Sequence, residues 1–119
     1  MNFTKHDFFR EFRMDIYTAF KVRMIKESAT TARLSPKWVI EEIRKEFRIK
    51  KLTGDEFKIS NSMTSYYIRV FLYQHPELKK RMVVKKSGAD EMSEREISLL
   101  IQGKNPDNEP QEMKTLTLF

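Results

Sequence analysis

Apolar residues recur every third or fourth position along three stretches of this chain, and each repeat predicts a helix with one buried side. The first holds Phe9, Phe12, Ile16, Phe20 and Met24, which predicts one continuous amphipathic helix over 7–28. Thr4, with Asp7 three residues on, supplies its N-cap. The small and polar stretch from Ser28 to Arg33 reads as a loop. Ser35-Pro36 then opens a second helix, because serine caps free backbone N–H groups and proline loses nothing at the first helical position. Trp38, Val39, Ile40, Ile43 and Phe47 form its predicted buried side. A third helix is predicted from Ser60 or Asn61 to about Gln74, where His75-Pro76 ends it. Met63, Tyr67, Val70, Phe71 and Gln74 share its inward side, and Asn61, Ser62, Ser65 and Arg69 its outward one.

Between the second and third helices the pattern changes. Ile49, Leu52, Phe57 and Ile59 flank Thr53-Gly54-Asp55-Glu56, which suits a short hairpin or an ordered loop. Past Pro76, Met82, Val83 and Val84 lie between Lys79-Lys80-Arg81 and Lys85-Lys86. They predict a basic strand that turns at Ser87-Gly88-Ala89-Asp90. Ser93 and Glu96 have capping-box spacing, Ile97, Leu100 and Ile101 give a last short helix one apolar side, and Gly103 stops it. The fold class expected is mainly α. It is a small helical domain that allows a helix-turn-helix with a short β-hairpin or wing, plus an extended C-terminal tail. Residues 1–103 form the basic helical domain. Residues 104–110 (KNPDNEP), with two prolines and no apolar side chain, form an extended or flexible linker, and 111–119 form a partner-binding peptide.

Composition narrows the chemistry. With 119 residues there is room for one compact domain and a tail. The chain has no cysteine, which removes disulfides, thiolate metal sites and cysteine nucleophiles together. Its two histidines, His6 and His75, are too few for a histidine metal site. Gly54, Gly88 and Gly103 all suit turns or caps and form no phosphate loop. His75 with Glu77 ends a helix more simply than it makes an acid–base pair, and Asp55-Glu56 and Asp90-Glu91 read as solvated turn acids. No enzyme, metal or cofactor is expected. The apolar runs fall short of a membrane span, and the N-terminus lacks the apolar core of a signal peptide, so the expectation is a cytoplasmic protein without membrane contact.

The charge points to a class of partner. The chain carries 23 Lys+Arg against 17 Asp+Glu, a net of +6. Residues 104–119 hold two lysines against three acids, so the positive excess belongs to the helical body. Lysines and arginines near phosphates release condensed counterions, which makes double-stranded DNA the expected partner. On the third helix, Asn61, Ser62, Ser65 and Arg69 are of the type that approaches base edges in a major groove. Tyr66 and Tyr73 flank this side and can stack on bases, or pack inward. Lys79, Lys80, Arg81, Lys85 and Lys86 would meet flanking phosphates, as a wing does. In this arrangement the body loosely resembles helix-turn-helix DNA-binding proteins.

The end of the chain carries a second signal. Leu116, Leu118 and Phe119 are apolar residues beyond a polar linker, and their alternation suits an extended peptide entering pockets on a partner. TLTLF, Thr115 to Phe119, resembles the pentapeptide, usually written QL(S/D)LF, by which many bacterial replication and repair proteins dock on the β sliding clamp. Leu116, Leu118 and Phe119 match its hydrophobic anchors and Thr117 its small polar position, while Thr115 stands where the family has glutamine. The resemblance implies a clamp, or another protein with a hydrophobic peptide pocket, as partner. The expected function is therefore a DNA-associated accessory protein that docks on a replication clamp, of the economical size that suits a phage or plasmid. Two alternatives stay open. One is a helix-turn-helix transcription regulator whose tail packs on its own domain, and the other an inhibitor of a host replication protein that does not touch DNA.

Overall fold

The computed structural model describes residues 3–50 and 59–109. The α-helices are α1 (Lys5–Glu11), α2 (Met14–Ser28), α3 (Pro36–Lys50), α4 (Asn61–Gln74) and α5 (Glu94–Ile101). Short 3-10 helices occupy Pro76–Arg81, Gly88–Glu91 and Pro106–Asn108. The fold is mainly α, and no strand occurs among the described residues.

Local capping accounts for most of the helix starts. Thr4 and Asp7 form a reciprocal capping box at α1, the Ser60 hydroxyl accepts the Met63 N–H at 3.1 Å at α4, and Ser93 with Glu96 repeats the box at α5. The Ser35 hydroxyl accepts the Trp38 N–H at 3.3 Å, and Pro36 fills the first position of α3. Gly103, with φ +84°, takes the left-handed conformation just past α5 that an L side chain avoids.

Helix α4 is the central element. Its inward residues Met63, Tyr67, Val70 and Phe71 are buried with Ile16, Phe20 and Met24 of α2 and with Val39, Ile40 and Ile43 of α3. Full burial of a phenylalanine such as Phe8, Phe20 or Phe71 contributes about 1.5–3 kcal/mol, more than the ~0–1 kcal/mol of an exposed ion pair. The core therefore rests on these faces. Tyr17 closes the α2–α4 contact, its hydroxyl donating to Gln74 Oε1 at 2.6 Å. Burial pushes the phenols of Tyr17 and Tyr67 above their ordinary range.

The continuous helix expected over 7–28 is two helices. Phe12 (φ −61°, ψ 133°) and Arg13 (φ −126°, ψ 126°) are extended, and the Arg13 N–H donates to the Tyr67 hydroxyl at 3.1 Å. The bend wraps Phe8 and Phe12 around α4. Phe8 stacks on Tyr66 and meets Tyr67 edge-on, both at 5.0 Å between ring centroids, and Phe12 lies 5.6 Å from Tyr67. Trp38, expected inside, is 53% exposed, because the inward side of α3 is filled by Val39, Ile40 and Ile43 one position round the helix.

The basic strand expected around Met82 is also replaced. Pro76 starts a 3-10 helix that runs to Arg81, and residues 82–87 cross α4 as an irregular strap. Met82 is buried, Val83 exposed and Val84 half-buried, the alternation of an extended segment, but no neighbouring strand pairs with it among the described residues. No wing is present there. The short hairpin or ordered loop expected over 48–59 begins instead as the last turn of α3, and residues 51–58 lie outside the described residues.

Residues 104–109, read as an extended or flexible linker, close back on the body. The Asn105 side chain accepts the Asp107 N–H at 2.8 Å, Pro106 is buried, and the Asp107 carboxylate meets His6 Nδ1 of α1 at 2.8 Å. Proline fixes the backbone dihedral and Asn105 caps the turn, so a polar sequence without apolar side chains still folds. The tail peptide 111–119, with Thr115, Leu116, Thr117, Leu118 and Phe119, lies outside the described residues, as does Pro110. No described helix is long and apolar enough to cross a membrane.

Candidate nucleic-acid interface

The basic residues expected at the interface divide into two groups with different surroundings. Arg69 and Arg81 are engaged with the protein itself. Arg69 projects from α4, and its Nε donates to Asp90 Oδ1 at 2.6 Å while its Nη2 donates to the Lys85 carbonyl at 2.7 Å. Its side chain is only 13% exposed. The Arg69 guanidinium, with help from the Ser87 N–H, holds the Asp90 carboxyl below the usual carboxylate range.

Arg81 performs a similar task at the other end of the strap. Its Nη2 donates to the Ser28 carbonyl at 2.8 Å and to the Thr31 carbonyl, and its Nε to the Ala32 carbonyl at 3.1 Å. It thus satisfies carbonyls at the end of α2, where cations are favoured by the helix dipole. The Arg81 carbonyl in turn accepts the Leu34 N–H at 2.8 Å. Two guanidinium groups hold strap 82–87 at both ends, in place of the strand pairing it lacks.

Lysines form the second group. Lys79, Lys80, Lys85 and Lys86 are exposed and make no salt bridge to any described residue. Lys85 and Lys86 stand between two shallow grooves. One, of about 550 Å3, runs between α3, the start of α4 and the strap, and takes in Lys37, Arg44, Asn61, Ser65, Lys85 and Lys86. The other, of about 510 Å3, lies toward α5 and is lined by Tyr73, Lys79, Lys85 and Lys86, with Asp90 already bound to Arg69. Among the described residues, no acid lines the first groove.

Asn61, Ser62 and Ser65 sit in the first turn and a half of α4, but they are not equally available. Asn61 Oδ1 is 3.5 Å from Arg44 Nη2, and Ser62 is exposed without lining either groove. Tyr66, a candidate for base stacking, is buried between Phe3 and Phe8, whereas Tyr73 is 41% exposed beside the second groove. Sequence reading missed Lys37. It lies one residue past the Pro36 helix start and reaches the first groove from α3, and only its neighbours in space distinguish it from other surface lysines. Arg44 was also missed, and it too is engaged locally. It donates to the Ile59 carbonyl at 2.9 Å through Nε and pairs with Glu41.

The His75–Glu77 pair stands apart from this surface. His75 stacks on Phe71 at 5.0 Å and its Nδ1 is 3.4 Å from Glu77, whose side chain is mostly exposed. Comparison with known proteins found no matching family model, no matching curated protein and no matching solved structure.

Proposed function

We propose that this chain is a DNA-associated accessory protein that meets double-stranded DNA through the lysine-lined grooves beside strap 82–87, and docks on a replication sliding clamp through residues 115–119. One observation carries the first half. Lys37 from α3 and Lys85 and Lys86 from the strap, far apart in sequence, come together round a groove that no described acid lines. Surface lysines scattered for solubility would be interspersed with carboxylates, whereas a single-sign groove concentrates a field that favours phosphates. The second half is supported by the TLTLF sequence and its resemblance to clamp-docking peptides.

The two elements reinforce each other. A weak peptide contact gains effective concentration when the body is already on DNA, and the DNA contact gains in the same way from a clamp encircling the duplex. A chain truncated after Pro110 is expected to lose capture by a purified β clamp and to keep salt-sensitive DNA binding. Equal capture of the whole and truncated chains removes the clamp reading, and no DNA binding at low salt removes the DNA reading.

A further inference from the structure

We infer that this surface binds the phosphate backbone of duplex DNA without reading its base sequence, with lysines touching the phosphates and arginines building the surface that presents them. The inference rests on the DNA reading above and specifies its chemistry. Base-specific recognition in the major groove relies most on a guanidinium that can present two parallel donors to guanine. The arginines of the first groove, and Arg81 just before the strap, are committed elsewhere. Arg69 holds Asp90 and the Lys85 carbonyl, Arg81 holds three carbonyls between Ser28 and Ala32, and Arg44 holds the Ile59 carbonyl and Glu41.

Moving Arg69 to a base edge would break both of its bonds and release the strap from α4. The same bonds leave Lys85 and Lys86 between the two grooves, without a carboxylate partner among the described residues. An ammonium group is a compact point charge that suits a phosphate oxygen but has no planar fork with which to tell one base pair from another. Lys37 across the first groove and Lys79 beside the second extend the same chemistry to either side. Arg69 is then a positioning residue. It acts on DNA through the Lys85 carbonyl that it holds.

The test uses the full chain and two DNA probes, a duplex pool with a randomised central segment and a fixed duplex of the same length. Selection from the pool is expected to enrich no motif. On the fixed duplex, Lys85→Ala/Lys86→Ala is expected to reduce the slope of log affinity against log salt by about 2, near 0.9 for each phosphate that is no longer neutralised. Arg69→Gln is expected to weaken binding to every sequence alike while keeping most of the wild-type salt slope, because both lysines remain. Amide exchange at 83–87 is expected to speed up in that variant, with its helical circular dichroism retained. A motif enriched at about ten-fold or more, or a sequence preference that disappears in Arg69→Gln, overturns the inference and restores Arg69 as a base reader. Absence of wild-type binding to either probe at low salt overturns the DNA reading itself, a result separate from the first.

Discussion

The hydroxyl oxygen of Tyr67 lies 3.1 Å from the backbone nitrogen of Arg13 and takes the donor left over where α1 stops and α2 begins. A single side chain of the central helix thereby fixes the angle between the two N-terminal helices. Tyr67→Phe keeps the ring packing against Phe8 and Phe12 and removes only this acceptor. It is expected to cost about 1–3 kcal/mol, the range for leaving a partly buried donor unpaired, measured as a lower urea midpoint with an unchanged slope.

Gly88 meets the same aromatic cluster from the other side. A Cβ at this position would stand 2.9 Å from the Tyr66 hydroxyl oxygen. The Tyr66 ring is held by Phe3 and Phe8 and has little room to retreat. Gly88→Ala is expected to destabilise the fold by about 1–3 kcal/mol through overpacking, seen as a lower thermal midpoint. Gly103→Ala is open in space and strained only in its dihedral, so its cost should stay at about 1–2 kcal/mol.

Acid should loosen the strap. The Asp90 carboxyl is held below its ordinary value of 3.8 by Arg69, so the folded state binds its proton less readily than the unfolded chain does. The stability it contributes is present above that value and is lost as pH falls through the lowered one. Asp7, lowered mainly by the Thr4 N–H, adds to the same limb. Denaturant midpoints measured from about pH 6 to about pH 2 should fall in the acid range, and Asp90→Asn should flatten that fall while lowering the midpoint at neutral pH.

Arg81→Met preserves the aliphatic stem and removes the bonds to the Ser28, Thr31 and Ala32 carbonyls. The expected loss is about 1–3 kcal/mol. Hydrogen exchange should locate it. Amides at 31–34 and 82–84 should exchange faster, while those of α4 hold.

Trp38 is the chain's one tryptophan and is 53% exposed. Its fluorescence should show a water-exposed emission maximum and be quenched readily by acrylamide. Trp38→Phe should change stability by less than about 0.5 kcal/mol, as surface substitutions do. A blue-shifted, protected emission would place Trp38 inside after all.

What the sequence disclosed follows the range over which each interaction acts. The caps at Thr4, Ser35 and Ser93 were legible because donor and acceptor lie within three residues of each other. The inward side of α4 was legible because its spacing repeats. The break at Phe12–Arg13 was not, since the acceptor that permits it is Tyr67, 54 residues away. Trp38 was misplaced because a wheel cannot say which edge of an apolar side its neighbours will fill.

The interface shows the same divide. Charge at Lys79, Lys80, Lys85 and Lys86 could be read directly, but the engagement of Arg69 and Arg81 could not, because their acceptors lie 16 to 53 residues distant. In one dimension an arginine holding a loop and an arginine awaiting a base look identical. The approach of Lys37 to the strap depends on how α3 lies across α4, and only the fold supplies that.

Strap 82–87 is fastened by Met82 and Val84, which pack on the core, and by main-chain oxygens, at the Lys85 carbonyl and at the carbonyls that Arg81 holds. Every amino acid brings the same carbonyl, so the fastening is indifferent to which side chains stand at 83, 85 and 86. Those three positions can be exchanged for acids, aromatics or small residues while the backbone keeps its course. Scaffold and display are chemically separate here, and the chain can be given a new surface without being taught a new fold.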